Sequence, residues 1–252
     1  MKIEKIKALR KKLKNNTVSI GTWQQIPNSS ISEILGYSGY DWVAVDMEHG
    51  SISIDQLPDL FRAIELGGSL PFTRILKPEA SYCKQALDAG SAGIVVPMIE
   101  SAEQLQYIID ASCWPPTGNR GVGFSRANLF GGFFDDYLEL AQSPFIVAQI
   151  ESIHAFNNLE DILQVKGLDA VMVGPYDLSA SMGITADFKD KKFIKTMNQI
   201  INLSKKYNIP CGDHIVNPDT KLLKNRIKEG YTFLAFSTDA LFLHKSSINP
   251  IK

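Results

Sequence analysis

The sequence predicts an α/β fold, a (β/α)8 TIM barrel made as a single domain over residues 1–252, and three observations carry that expectation. Eight short apolar runs rich in β-formers recur along the chain, and the segments between them have helical spacing and good starting caps. The runs are nearly continuously apolar, as strands of a parallel sheet covered on both faces should be. No Gly-rich phosphate-binding turn follows the first run, which favours a closed barrel over an open doubly wound sheet. The length suits a barrel of about 250 residues but decides nothing alone.

In chain order, the first element is a helix with an apolar stripe of Ile3, Ile6, Leu9 and Leu13, opposite a solvated face carrying Lys11, Lys12 and Lys14. Strands are expected at Val18 to Thr22, Trp42 to Asp46, Pro71 to Ile75, Gly93 to Pro97, Ile146 to Ile150, Ala170 to Gly174, Ile209 to Gly212 and Thr232 to Phe236. Ser30 with Glu33, Ser53 with Gln56 and Ser101 with Gln104 form capping boxes where helices should begin. Gly67, Gly90 and Gly230 end helices ahead of the next strand. One connection breaks the rhythm: Cys113 to Phe134 is long and rich in Gly and Pro, the mark of a functional or interface segment. No linker, low-complexity tract or internal repeat is visible.

Composition narrows the function classes. The 26 basic and 27 acidic residues leave a net charge of −1, so no long-range field favours nucleic acid or an anionic membrane. Cys83, Cys113 and Cys211 make no CxxC pair and no metal-ligand spacing, which suggests free thiols in a reducing compartment. The start has no apolar core of signal-peptide length, and no apolar run approaches membrane-spanning length. These features point to a cytoplasmic enzyme acting on a small molecule.

An active site in such a barrel is built at the C-terminal ends of the strands. Polar residues gather there: Asp46, Glu48 and His49 after the second strand, Arg74 in the third, Gln149 and Glu151 around the end of the fifth, Asp177 after the sixth. Gln149 and Glu151 are two apart and share a face. Glu151 and Asp177 on neighbouring strands, with positions left open for water and substrate oxygens, suit a hard divalent cation such as Mg²⁺ or Mn²⁺. Taken singly, each is better read as a helix cap. His49 is a candidate general base whose ring Asp46 could orient. Arg74 either holds a developing enolate oxygen or makes an internal ion pair with Asp46 or Glu48. The turn Gly174 to Ser181 offers backbone N–H groups to a carboxylate.

The segments DMEHG at 46–50, LDAG at 87–90, PPTGNRGVG at 115–123, QIES at 149–152 and GPYDLSASMG at 174–183 together resemble the 2,4-dihydroxyhept-2-ene-1,7-dioate aldolase family. These are metal-dependent class II pyruvate aldolases of the phosphoenolpyruvate/pyruvate barrel superfamily. The resemblance runs from about Gly21 to Asp239. It implies reversible cleavage of a 4-hydroxy-2-oxo acid to pyruvate, or a close analogue, and an aldehyde, with a divalent metal (Mg²⁺, Mn²⁺ or Co²⁺) and a homo-oligomer such as a hexamer. By resemblance, Glu151 and Asp177 are the metal ligands, His49 the proton acceptor, and Arg74 the group that steadies the enolate. Gln149 and the backbone at Tyr176 contact the 2-oxo acid. Asp88 matches an acidic residue that raises the basicity of the histidine in an adjacent subunit. Because Asp88 ends the helix after the third strand, on the strand-entry side, it cannot reach its own barrel mouth.

The sequence also departs from the family pattern. Tyr176 replaces a small residue, and His214 stands where apolar residues are common. With the seventh strand ending near Gly212, His214 should lie on the rim over the aldehyde half of the substrate, favouring a hydroxylated, sugar-like or acidic aldehyde. The tail after Asp239 is short for an eighth barrel helix. Rival readings are a Schiff-base aldolase using Lys77, a lyase of acyl thioesters on the same barrel, and a catalytically silent 2-oxo-acid-binding protein.

Overall fold

The computed structural model describes residues 2–249 and 251. Eight parallel strands close into a barrel in sequence order. They are β1 (Ser19–Gln24), β2 (Trp42–Asp46), β3 (Leu70–Arg74), β4 (Gly93–Val96), β5 (Phe145–Ile150), β6 (Ala170–Val173), β7 (Cys211–Ile215) and β8 (Phe233–Thr238). Among the described residues no helix is long and apolar enough to cross a membrane.

Alternation along the strands divides the apolar residues between two cores. Val43, Val45, Ile94, Ile146, Val171 and Leu234 face outward and pack under the surrounding helices. Trp42, Phe72, Phe145 and Phe233 face inward and form an aromatic floor, with the Trp42 and Phe233 rings stacked at 4.6 Å and the Phe72 and Phe145 rings tilted by 42° at 5.2 Å. The N-terminal helix Lys2–Lys14 plugs the strand-entry end by adding Ile6, Leu9 and Leu13 to this inner core. Arg10 fastens the plug: its Nε and Nη2 donate to the two Asp169 oxygens at 2.7 and 2.8 Å.

Three strands run further than the sequence suggests, among them β8, which ends at Thr238 rather than Phe236. β1 continues to Gln24, which pairs with Val45, and β7 continues to Ile215, placing His214 within the strand rather than beyond it. The β1 and β7 extensions are polar, and each polar residue finds a partner that a linear reading does not show. Asp213 faces outward and meets Arg226 Nε at 2.6 Å, from the helix Thr220–Glu229. The capping boxes fare unevenly. Ser53 with Gln56 forms, and Ser101 accepts from the Gln104 N–H, but Asn28 rather than Ser30 caps the helix Ser29–Tyr37. The helix after β8, Asp239–Ser246, is eight residues long.

The aromatic floor fits because glycine stands beside each large ring. A Cβ on Gly21 would collide with the Trp42 indole, and one on Gly93 would meet the Phe145 backbone and Phe72 ring. Overpacking of such a core costs about 1–3 kcal/mol. Gly21→Ala should therefore lower the unfolding free energy by about that amount, read as a reduced urea midpoint at unchanged slope. An unshifted midpoint would show that the Trp42 ring has room to swing aside.

Candidate active site

The inward rows that build the floor end in polar residues at the mouth. Trp42 and Ala44 lead to Asp46, Leu70 and Phe72 to Arg74, Phe145 and Val147 to Gln149, and Gly212 to His214. Since Asp46 and Arg74 are register partners on β2 and β3, they meet directly. The mouth encloses a cavity of about 350 Å³ lined by Trp23, His49, Arg74, Gln149, Asp177 and His214, among others. A larger opening of about 450 Å³ lies at the strand-entry end, beside Lys2, Glu65 and Arg126. There Glu65 pairs with both Lys2 and Arg126, and Lys5 donates to the Gly68 carbonyl.

Arg74 is held on three sides. Its Nε and Nη2 donate to Asp46 Oδ1 and Oδ2 at 2.8 and 2.6 Å, Nη1 lies 3.1 Å from Glu48 Oε2, and the guanidinium sits 4.5 Å above the Trp23 ring. Burial pushes the Asp46 carboxyl up, but its hydrogen bonds and charge contact with Arg74, helped by Gln25, outweigh this and hold it below the usual carboxylate range. The orientation expected of Asp46 is different from the one observed. It does not touch the His49 ring; it accepts the backbone N–H groups of Glu48 and His49 at 3.1 and 3.2 Å and so shapes the turn that carries His49. That ring is exposed at the mouth, with Nε2 4.0 Å from Glu48 Oε2.

Glu151 is buried beside β5. Its Oε1 accepts the Met98 N–H at 2.5 Å, and its Oε2 accepts from Gln149 Nε2 at 2.9 Å. Met98 adopts a φ of 53°, a strained backbone for a side chain of its size, and thereby turns its N–H onto the carboxylate. Burial, with Glu48 and Asp177 nearby, pushes the Glu151 carboxyl up to about 7 despite the Met98 bond. A Cβ on Gly174 would lie 2.7 Å from Glu151 Oε2, so glycine leaves space on that side of the carboxylate.

These features fit a divalent cation. Three acidic groups influence one another across the mouth, and the buried Gln149 Oε1 lacks a hydrogen-bond partner among the described residues, while Glu48 Oε2 keeps its charge contact with Arg74. No group of three His, Cys, Asp or Glu side chains among the described residues forms a ready-made ligand set. A cation here would thus rest on the two carboxylates of Glu151 and Asp177 and complete its shell with water and substrate oxygens. Neither residue is an N-cap: Ser152 caps the helix Ile153–Asn157, and Gly174 precedes the helix Pro175–Ser181, in whose first turn Asp177 lies exposed.

Tyr176 lies beside the cavity with its ring packed edge-on against Phe188 at 5.0 Å. His214 sits deeper than the rim position expected. Its Nε2 donates to the Ser237 carbonyl at 3.3 Å, the ring lies 5.5 Å from Trp23, and burial with the nearby Arg74 charge pulls it down to about 4. It is neutral near pH 7, which removes the expected attraction for an acidic aldehyde. Lys77 is exposed and lies outside the cavity lining. Asp88 ends the helix Ala80–Asp88 at the strand-entry end, where neighbouring Gly90 accepts from Lys2 of the plug. The structure therefore gathers the candidate residues at one mouth, with the exceptions of Asp88 and Lys77.

Trp23, Gln25 and Met98 escaped the sequence reading. Trp23 supports Arg74 and leaves its Nε1 buried without a partner among the described residues, while Gln25 donates to Asp46 Oδ2 at 3.1 Å. Both follow Gly21 on the inward row of β1, and continuing that alternation past Thr22 would have found them. Met98 carried no such signal, because a backbone N–H has no sequence signature.

Residues 19–247 match the model of the family described as HpcH/HpaI aldolase/citrate lyase. The chain is 33% identical over 237 residues to the 2-dehydro-3,6-dideoxy-6-sulfogluconate aldolase of Pseudomonas putida, covering 93% of this chain and 92% of that protein. It is likewise 33% identical over 241 residues to the hydroxypyruvate/pyruvate aldolase of Roseobacter denitrificans, covering 94% and 93%. The crystal structure of an aldolase/citrate lyase family protein from Burkholderia cenocepacia superposes with a TM-score of 0.89 at 28% identity, over 95% of this chain and 96% of that one. A family match spanning the whole barrel, mouth included, makes this chain a member of the HpcH/HpaI aldolase/citrate lyase family.

Proposed function

We propose that the chain cleaves a 4-hydroxy-2-oxo acid reversibly into pyruvate, or a close 2-oxo acid, and an aldehyde. The observation that carries this reading is the meeting of Glu151, Gln149 and Arg74 at one mouth, with Gly174 leaving the space a Cβ would fill. Glu151 and Asp177 would hold a divalent cation, which when bound supplies Lewis-acid polarisation of the 2-oxo group. Gln149 and the backbone at Tyr176 bind the 2-oxo acid half. In the cleavage direction His49 takes the proton of the 4-hydroxyl group as the C3–C4 bond breaks, and C4 leaves as the aldehyde carbonyl. The electron pair of that bond passes to C3 and the 2-oxo oxygen, forming an enolate. Arg74, already fixed by Asp46 and Trp23, stabilises the negative oxygen without reorganising. A proton returned to C3 completes pyruvate.

His49 is exposed and has no carboxylate in hydrogen-bond contact within its own chain among the described residues. We assign that role to Asp88 of the partner subunit, which makes a homo-oligomer the working unit. Phe124 and Phe130, 74% and 68% exposed in the loop near Asp88, supply apolar surface for such an assembly.

His214 lies where the aldehyde half would sit. With Nε2–H committed to the Ser237 carbonyl, Nδ1 remains an acceptor for a substrate hydroxyl. The preferred aldehyde is therefore hydroxylated.

Chelation should abolish turnover of pyruvate with a panel of aldehydes, and Glu151→Gln should lose metal binding in calorimetry while its circular dichroism stays native. Turnover that survives chelation, and is instead trapped by borohydride with pyruvate, would favour Lys77. His214→Leu should lower kcat/KM for a polyhydroxy aldehyde, relative to an unsubstituted one of equal length, by about tenfold. Because the imidazole accepts a proton only as pH falls towards about 4, the wild-type ratio should be flat through neutrality and decline in acid. An unchanged ratio in His214→Leu removes the residue from the substrate site. Mixed Asp88→Asn and His49→Ala subunits, each inactive alone, should regain partial activity; an active monomer in sedimentation would refute the shared site.

A further inference from the structure

We infer that Arg120 is a positioning residue for this reaction, holding the Asp88 carboxylate in place for His49 of the partner subunit. The inference rests on the role assigned to Asp88 above.

The loop after the helix Ala102–Ser112 folds back on that helix and drives Arg120 inward. The Asn119 N–H donates to the Asp110 carbonyl at 2.7 Å, and the Arg120 N–H donates to the Cys113 carbonyl at 2.9 Å. A Cβ on Gly118 would collide with the Asp110 carbonyl, so this close approach requires glycine. The Arg120 side chain is 0% exposed. Its guanidinium lies 5.6 Å from the Trp114 ring and 5.9 Å from the Tyr137 ring, and Nη2 donates to Tyr137 Oη at 3.1 Å. Nε and Nη1 have no hydrogen-bond partner among the described residues.

A buried cation left with unpaired donors is costly and calls for a counter-charge. Asp88 supplies it, with Oδ1 3.7 Å from Arg120 Nη1. That separation is long for a hydrogen bond but close enough for strong attraction. It steers the carboxylate while leaving its lone pairs free for an incoming imidazole N–H. Three groups face Asp88: Arg120 from the loop, Lys84 at 4.0 Å from its own helix, and the Tyr137 hydroxyl. Burial raises the Asp88 carboxyl above its ordinary value, and Arg120 and Lys84 oppose the rise.

The test follows exchange of the pyruvate methyl protons in deuterated buffer with Mn²⁺, a half-reaction that needs the base and no aldehyde. Full-length wild type, Arg120→Gln, Arg120→Lys, Asp88→Asn and the Arg120→Gln/Asp88→Asn double variant are compared. Arg120→Gln should lower kcat about tenfold or more while KM for pyruvate stays within about twofold. Removing a cation beside the Asp88 and His49 pair raises the pH at which the pair gives up its last proton, so the acid limb of kcat should move to higher pH. Arg120→Lys should restore the limb towards wild type, and the double variant should be no slower than Asp88→Asn. A wild-type profile in Arg120→Gln, or full additivity in the double variant, overturns the inference while the role of Asp88 stands. Wild-type exchange in Asp88→Asn overturns both. Should Arg120→Gln not fold, Arg120→Met takes its place, a lowered kcat at unchanged KM with the acid limb moved to higher pH supporting the inference and a wild-type profile overturning it.

Discussion

The bidentate pair between Arg74 and Asp46 is the contact on which the mouth depends. It joins neighbouring strands at their last register pair, in a space where Asp46 is fully buried. Taking two charges out of water is expensive, and removing one partner of a buried pair costs about 3–5 kcal/mol. What offsets the burial is the saturation of Asp46: two guanidinium nitrogens, the Gln25 amide and two backbone N–H groups all donate to it. The same bonds fix the turn leading to His49 and flatten Arg74 against Trp23. Because the Asp46 carboxyl is held below its ordinary value, its share of stability is present above the unfolded value and is lost as pH falls through the folded one.

The other half of the mouth is built on the opposite principle. Glu48 and Glu151 are raised by burial and further by the other acids around the cavity, with Arg74 opposing the rise most at Glu48, to which it is paired. Nothing in folding favours such an arrangement, since like charges in a low-dielectric site repel and unpaired acceptors lose their water. Met98 adds backbone strain to the same place. An excess of acceptors on one side and a satisfied cation on the other would suit the divalent ion and 2-oxo acid proposed for this site. Local cost is concentrated at the mouth, where the proposed chemistry would take place, while the aromatic floor and helical plug supply buried apolar packing elsewhere.

Much of this was legible in the sequence. Alternating strands and helices with eight apolar runs announced the closed barrel, and the strand-end positions of Asp46, Arg74, Gln149 and Glu151 announced the mouth, because period-two alternation and the polarity of a barrel are local and geometric rules. Three-dimensional packing alone decided how those residues are used. The sequence offers Asp46 both as the orienter of the His49 ring and as an ion-pair partner of Arg74, and the register of β2 against β3, which cannot be read from either strand by itself, decides for Arg74. His214 was placed on the rim and lies within β7, because the outward Asp213 finds Arg226 and lets the ladder continue. Its neutrality is likewise a property of surroundings contributed by β1, β3 and β8. The sequence by itself determined which residue types stand at the mouth, for that follows from local periodicity. Their partners, and with them their charge states, were decided only by the tertiary structure, because both depend on atoms brought together from distant parts of the chain.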